Sequence, residues 1–478
     1  MNLSRERMLD RAKARDRRYD GRFLTGVTST GIYCLPSCPA RQPRDSNVEH
    51  FADPAAARAA GLRPCKRCRP DEFYRGRDPD LELAVAAAGA MRRGSVQSVA
   101  QAARELGIGT TKLTELFRHY YHASPAAYLA AGRHERACEL LRESDRRVLD
   151  IALAVGCESL SAFHESFRRH AGLAPSEFRA LREATRFVLA LPAGWNRTAF
   201  LAHLGRDRDS ACERVEDNAL VKTLVAAGVP LRLDVELQAR RAVCRVESAT
   251  GAVLAPDAVF AAHGAVVRLL SLRQGASGFE RHVAALGLAR LTRGGRGTRV
   301  WLTADPFEAL VWSIVGQQVH LQFAFALRRR LVERCGLPLG RMFAHPTPEQ
   351  VADLEPADLR AMQFSQRKAE YLIGCARRIA RGEFDLDGLG ELPVPALRAA
   401  LAAQRGLGPW SAEYVAMRGF GRSDCGLPGD VAVRAGLQSL FELPRRPTQV
   451  EAEAWMRTFS PWRSLAVVHL CRQPRVPS

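Results

Sequence analysis

Two close pairs of cysteines limit what the start of this chain can become. Cys34 and Cys38 stand in GIYCLPSCPAR, and Cys65 and Cys68 stand in RPCKRCRP. The pattern is C-x3-C, a gap, then C-x2-C. Four thiolates so paired suit one tetrahedral zinc ion, in a stretch otherwise too small to build a large core. A metal-bound thiol is held as thiolate at neutral pH, and the thiolate is the nucleophile. Arg41, Arg44, Arg63, Lys66, Arg67 and Arg69 surround the pairs and make the module basic. A purely structural metal knot is the plainer alternative.

The whole chain is basic too. It has 478 residues, a formal charge of +19 at pH 7 and a pI of about 10.0. That length allows several domains, and the charge favours a polyanionic partner, nucleic acid or an anionic membrane. No run approaches the ~20 apolar residues of a membrane helix. Met1 to Arg18 is polar and lacks a signal-peptide core. The expected location is therefore the cytoplasm, where thiols stay reduced. The twelve cysteines then read as ligands, nucleophiles or core residues.

Asp78-Pro79-Asp80 marks a linker, and Leu81 to Arg93 carries apolar residues at helical spacing. Next come two helix–glycine–helix units. Ser98 to Leu106, Gly107 and Thr110 to Tyr120 form the first; Val148 to Val155, Gly156 and Ser159 to His170 form the second. In register, Leu113, Leu116 and Phe117 pair loosely with Ala162, Ser166 and Phe167. A long helix from Pro125 to Arg142 separates the units.

The middle segment opens with FVLALPAGW. Leu231, Leu233, Val235 and Leu237 then alternate with other residues, a half-buried strand signal. It reads as an α+β support, with no chemistry assigned. The last part reads as all-helical. Asp305-Pro306 caps a helix expected to run through Val319. Later, Val394 to Leu401 forms a helix with Pro395 in its first turn. Gly406-Leu407-Gly408 makes a tight turn whose glycines permit positive φ and close backbone approach. A helix expected from about Ser411 can turn its free N–H groups to a phosphate, and a loop then delivers Pro428-Gly429-Asp430.

These stretches resemble known families. Residues 17 to 73 resemble the N-terminal domain of the Ada methylation-response proteins. There the four cysteines bind zinc and the first accepts a methyl group from a methylated DNA phosphate, a role that maps to Cys34. The paired units resemble the AraC-type DNA-binding domain, whose second helices enter major grooves about one helical turn (~34 Å) apart. Thr110, Thr111, Lys112, Arg118, Ser159, Ser161, His164 and Arg168 are the candidate contacts. In Ada, methylation of the zinc module raises the affinity of this half for promoters. The alkylguanine methyltransferase half of Ada, with its Pro-Cys-His-Arg core, has no counterpart here.

The stretch Gln404–Asp430 resembles the helix-hairpin-helix DNA glycosylases, most closely the AlkA type. The likeness extends to Ser313–Gln318 and Ser460–Ser464, and the middle segment resembles the small sheet domain that precedes the AlkA catalytic half. By that resemblance Asp430 is the catalytic acid, stabilising oxocarbenium character as the alkylated base leaves. Asp424 is the other acid of the loop. Trp410, Tyr414 and Trp462 would offer aromatic faces to a flipped cationic base. Gln318 falls on the residue that fills the gap in the duplex, and Gly406, Leu407 and Gly408 on the backbone-gripping hairpin. The chain departs from the family at Gln318, where AlkA has an apolar residue, and at Val431, where a tyrosine follows the acid. The position of the Schiff-base lysine of bifunctional relatives is Trp410, so a lyase step is not expected. Only Cys471 follows Asp430, too few ligands for an iron–sulfur cluster.

The expectation is a multidomain, mainly α protein. A small zinc α+β domain spans 1–76 and an all-α double helix-turn-helix domain 77–183. An α+β sheet domain spans 184–300, and an all-α helix-hairpin-helix glycosylase domain 301–478. Its expected work is alkylation repair by a monofunctional DNA-3-methyladenine glycosylase of type II, joined to a methylphosphotriester acceptor and transcriptional regulator. The competing reading is an activator whose glycosylase-like half only grips DNA. Expected partners are double-stranded DNA, at lesions and promoters, and RNA polymerase; the expected state is a monomer away from membranes.

Overall fold

The computed structural model describes residues 3–16, 19–249 and 251–473. Met1, and Arg17 and Arg18 where the first resemblance begins, lie outside the described residues. The chain divides into two compact units, Met1–Gly89 and Ala90–Ser478.

The first unit is built on four short strands. They are β1 (Leu24–Val27), β2 (Ile32–Cys34), β3 (Val48–Phe51) and β4 (Arg63–Pro64), in the order β3-β1-β2-β4. β1 pairs antiparallel with β2 and β3, whereas β2 and β4 run parallel. The parallel pair matters for the cysteines. β2 ends on Cys34 and β4 leads into Cys65, whose N–H donates to the Tyr33 carbonyl at 3.0 Å. The buried apolar cluster is small: Leu24, Tyr33, Leu35, Ala57 and Leu62.

The second unit begins with the duplicated helices. Thr110–Tyr120 and Leu160–Ala171 each follow a shorter helix, Val99–Glu105 and Val148–Ala154. Ser98 and Ser159 cap helix N-termini through their side chains. Matching the caps Gly109 and Ser159 pairs Leu113 with Phe163 and Phe117 with Phe167, all four buried. The pairing of Leu113 with Ala162 expected from sequence is thus one residue out. A helix face buries positions i and i+4, and Phe163 and Phe167 hold that spacing.

Five antiparallel strands follow: β5 (Arg186–Ala190), β6 (Glu213–Glu216), β7 (Ala219–Ala226), β8 (Val229–Leu237) and β9 (Arg241–Ser248), in the order β5-β9-β8-β7-β6. Leu231, Leu233, Val235 and Leu237 are all buried, as the alternation in β8 predicts. Lys222 in β7 breaks the apolar pattern yet is fully buried. Its Nζ meets Glu308 at 2.7 Å and Glu213 at 3.1 Å, and Arg328 meets the same two carboxylates at 2.7 Å each. Two positive and two negative groups therefore satisfy one another and tie the helices Pro306–Val315 and Leu321–Cys335 to the sheet. Removing one member strands the others in a dry site, which commonly costs 3–5 kcal/mol.

The last part is helical, with one addition to the expected all-α fold. A ribbon of β10 (Pro338–Leu339) and β11 (Met342–Phe343) lies by the sheet, where Thr223 Oγ1 donates to the Phe343 carbonyl at 2.7 Å. The helix capped by Asp305 stops at Val315, not Val319. Lys368 Nζ ends it by donating to the Val315 carbonyl at 2.7 Å, and Gln318 turns the chain away with φ of 53°.

Candidate active site and metal centre

The four cysteines of the first unit converge. Their sulfur atoms all lie within 4.8 Å of one another, and Cys38 Sγ is 4.0 Å from Cys65 Sγ. A tetrahedron with arms of ~2.3 Å has edges of about 3.8 Å, so the cluster fits zinc. Backbone N–H groups face the sulfurs, Leu35 to Cys68 at 3.3 Å and Arg67 to Cys65 at 3.4 Å. Donors aimed at sulfur suit thiolates. Without a cation the four cannot share negative charge: hydrogen bonding among them pushes Cys34 and Cys68 up and Cys38 and Cys65 down. A dication removes that conflict.

The hairpin lies in the second unit, between the helices Val394–Ala402 and Pro409–Arg418. Its two glycines do different jobs. Gly406 has φ of +92°, and a Cβ there would fall 2.2 Å from Tyr371 Cγ. Gly408 has φ of −82°, and a Cβ there would meet nothing within 4 Å. Only Gly406 uses the left-handed freedom expected of both. Gly408 caps the second helix, which begins at Pro409, two residues before the expected Ser411. Leu407 is buried and anchors the turn from inside. Gln317 Nε2 reaches the Gly406 carbonyl at 2.9 Å and Ser411 Oγ at 3.2 Å. That joins the hairpin to the turn carrying Gln318, which is exposed in a backbone conformation that costs a non-glycine residue energy.

A paired substitution separates the glycine roles. Gly406→Ala is expected to lower unfolding free energy by about 2 kcal/mol or more, from positive φ plus the clash with Tyr371. Gly408→Ala is expected to melt like the parent protein while weakening DNA affinity. Urea titration and a DNA-binding titration check both; equal melting of the two variants would refute the division.

Asp430 caps the helix Val431–Leu440. Its Oδ1 accepts from Ala432 N at 2.8 Å and Val433 N at 3.2 Å, and its Oδ2 accepts from Trp410 Nε1 at 3.2 Å. Both carboxylate oxygens therefore accept, at a helix N-terminus where the backbone dipole favours negative charge. Trp410 stacks on Tyr414, centroids 5.2 Å apart and planes 22° apart. Three of the expected groups therefore form one wall. Trp462 rests instead on Gly278, where a Cβ would meet its Cζ2 at 2.6 Å. Val431 is exposed at the start of its helix.

Asp424 is occupied differently. It accepts from Ser460 Oγ at 2.9 Å and from Arg463 Nε and NH2 at 2.7 and 3.0 Å. Burial alone would raise its carboxyl, but Arg463 and Ser460 hold it below the usual range. Ser464 Oγ accepts from Cys425 N and donates to the Arg422 carbonyl, at 3.0 and 2.6 Å. The Ser460–Ser464 stretch thus locks the loop that leads to Asp430. His122, after the first recognition-type helix, touches the same loop: Asp424 N donates to its Nδ1 at 3.3 Å. Sequence reasoning missed Gln317, Arg463 and His122, since each acts across a long span of chain.

Thr110, Thr111 and Arg118 are exposed and Lys112 is half-buried on Thr110–Tyr120. Ser159 is exposed at the cap of the second unit. Ser161, His164 and Arg168 line a cleft of about 840 Å3, whose other side is Leu191, Pro192 and Arg240 of the sheet region. Among the described residues no helix is long and apolar enough to cross a membrane.

A four-thiol knot, paired helix-turn-helix units and a hairpin beside a capped carboxylate define a multidomain DNA-handling protein. Comparison agrees at each part. Residues 7–71 match the metal binding domain of Ada, 102–181 a helix-turn-helix domain, and 311–461 the HhH-GPD superfamily of base excision DNA repair proteins. The chain is 30% identical over 503 residues to a probable bifunctional transcriptional activator/DNA repair enzyme AlkA of Mycobacterium tuberculosis, covering 97% of this chain and 95% of that protein. It belongs to that family of bifunctional activator and repair proteins. It is also 31% identical over 179 residues to the bifunctional transcriptional activator/DNA repair enzyme Ada of Escherichia coli, covering 37% of this chain and half of that one. The structure of a 3-methyladenine DNA glycosylase from Archaeoglobus fulgidus shares the fold, with TM-score 0.53 and 20% identity over 60% of this chain and 97% of that one.

Proposed function

We propose that the chain is a DNA alkylation-repair protein that hydrolyses the N-glycosidic bond of alkylated bases and carries its own alkylation sensor. The observation that carries this is Asp430, held as an acceptor between Trp410 and a helix N-terminus beside the hairpin. In this reading Gly406 to Gly408 grip the phosphate backbone, and Gln318 enters the gap left by the flipped nucleotide. Trp410 and Tyr414 stack on the base, with Trp462 at the rim. Water adds to the sugar carbon and gives up one proton, through Asp430 to solvent, while the alkylated base leaves with the bonding electrons. Asp430 stabilises the charge that develops on the sugar. Trp410 in place of a lysine keeps the enzyme monofunctional.

The four domains divide near residues 76, 183 and 300. One zinc ion held by Cys34, Cys38, Cys65 and Cys68 serves the first and keeps its thiols ionised; no iron–sulfur cluster is used. Cys34 Sγ forms a bond to the methyl carbon of a DNA phosphotriester, the carbon–oxygen bond breaks, and a phosphodiester anion leaves. The transfer is stoichiometric. Thr110, Thr111, Lys112, Arg118, Ser159, Ser161, His164 and Arg168 then engage promoter DNA, and RNA polymerase is the further partner. The working state is a cytoplasmic monomer. Incubation with randomly methylated duplex, followed by analysis of released bases and of protein mass, tests both halves. No released base would leave only the activator reading. No mass gain at Cys34 would leave the zinc structural.

Methylating Cys34 removes one negative charge near the DNA backbone. Methylated protein is therefore expected to bind its promoter more tightly, by a margin that shrinks as salt rises. Equal affinity of both forms for every DNA tested at low salt would refute the switch.

A further inference from the structure

The helix Leu160–Ala171, the second of the recognition type, ends against the sheet region. A helix terminus leaves its last carbonyls in need of donors, and here three successive carbonyls find them in that region. Arg273 Nε donates to the His170 carbonyl at 3.3 Å, His263 Nε2 to the Ala171 carbonyl at 2.7 Å, and Ala190 N to the Gly172 carbonyl at 2.8 Å. Gly172 caps the helix with φ of 71°, and a Cβ there would lie 3.2 Å from both Leu189 and Leu272. Helix and sheet are thus joined at the helix C-terminus and held as one body. N-terminal to that joint they leave between them the cleft of about 840 Å3.

The two walls of this cleft are chemically alike at one point. Ser161, His164 and Arg168 line it from the helix, where spacings of three and four residues share a face. Leu191, Pro192 and Arg240 line it from the sheet region. Leu191 N donates to the Arg240 carbonyl at 2.9 Å, which fixes the two side by side where β5 ends and β9 begins. Glu165 is the one acid among the lining residues, and Arg169 already holds it at 2.7 Å. Arg168 and Arg240 are exposed, and neither pairs with a carboxylate among the described residues. The cleft therefore offers two free guanidiniums, one from each wall. Such groups suit phosphate oxygens, which match their planar fork of donors.

Resting on the reading that this helix engages promoter DNA, we propose that the sheet region forms the other half of that binding site, with Arg240 on the phosphates of the strand that runs through the cleft. A helix lying in a major groove about 12 Å wide has a sugar–phosphate backbone on either side of it. On one side of this helix stands the wall of Leu191, Pro192 and Arg240. The backbone on that side has to pass between helix and wall. Arg168 meets it from the helix and Arg240 from the wall. Phosphate contacts set register and orientation and carry no sequence information, so Arg240 strengthens every site alike. Because helix and wall are one body, the cleft is formed before DNA arrives, and little ordering opposes binding. The middle segment then belongs to the promoter-binding surface as well as to the support of the catalytic half.

The test uses the full-length chain and a duplex that it enriches from a random-sequence pool. Arg240→Gln is expected to weaken binding about tenfold at low salt and to lower the slope of log affinity against log salt by about one, the mark of one lost phosphate contact. Arg240→Lys keeps the charge and should keep the slope. Arg241→Gln is the control for a change in net charge. Arg241 is next in the chain and exposed but does not line the cleft, so affinity and slope should stay near those of the parent. Ethylating single phosphates should block binding of the parent at a cluster beside the helix, and that cluster should vanish in Arg240→Gln. Parental affinity and slope in Arg240→Gln, with both reduced in Arg168→Gln, would overturn the inference and leave the promoter reading standing. Weaker binding with an unchanged slope would overturn it too, since Arg240 would then act through the fold. If both variants bind as the parent does, the wall bars the groove and this helix leaves the promoter reading as well. Enrichment of no sequence would sink the promoter reading and this inference with it.

Discussion

Asp430→Asn is expected to slow single-turnover release of methylated adenine about 10²-fold or more while DNA affinity stays near that of the parent. Removing one electrostatic stabiliser of a transition state commonly costs that much. The substitution is clean for structural reasons. Asparagine caps helices about as well as aspartate, so its amide oxygen can keep the bonds from Ala432 and Val433. Its NH2 then faces the Trp410 indole N–H, where Oδ2 had accepted. That donor–donor contact loosens Trp410 locally without unfolding the helix. Affinity should persist because phosphate contacts supply most of it, and a carboxylate facing DNA has been removed. The measurement is base release beside a binding titration at one salt concentration. Near-parental release would take Asp430 out of the mechanism. Asp424 would be a poor replacement, since Arg463 and Ser460 already occupy its oxygens.

What could be read from the sequence was local. Ser98, Ser159 and Asp305 announce helix starts because a cap is a contact three residues long. The cysteine pairs announce a knot because each pair is one turn. The hairpin could be read as a unit, but not the difference between its glycines. That difference depends on Tyr371, which packs against Gly406 from another helix. Nothing local in the sequence marks Lys222 as a buried cation; Glu308 and Arg328 reach it only through the fold. The middle segment carries no chemistry legible in the sequence, yet it brings Arg240 to the cleft beside Arg168. Each of these is a pairing between distant parts of the chain, and no periodicity encodes it. The His122 contact with the Asp424 loop is of the same kind, linking the first helix-turn-helix unit to the loop that carries Asp430.

Removing zinc is expected to unfold the first unit and leave the second folded. The reason is the size of what remains. Among the described residues its buried apolar cluster is Leu24, Tyr33, Leu35, Ala57 and Leu62, with Phe51, Phe73 and Tyr74 partly buried against it, and β4 is two residues long. Burying one such side chain contributes about 1.5–3 kcal/mol, against about 1–2 kcal/mol of backbone entropy for every residue ordered. Structural zinc in small domains supplies roughly 10–16 kcal/mol of folding free energy at pH 7, which no contact in this unit replaces. The second unit has its own extensive cores and no cysteine of the knot. Chelation, or Cys65→Ser with Cys68→Ser, should therefore expose Met1–Gly89 to protease while Ala90–Ser478 stays protected. Metal loss should also set in as pH falls, since protons compete for the thiolates. Elemental analysis before and after chelation should show one zinc per chain lost in step with that cleavage. A zinc-free protein whose first unit still resists digestion would show that the strands, not the metal, hold the four cysteines together.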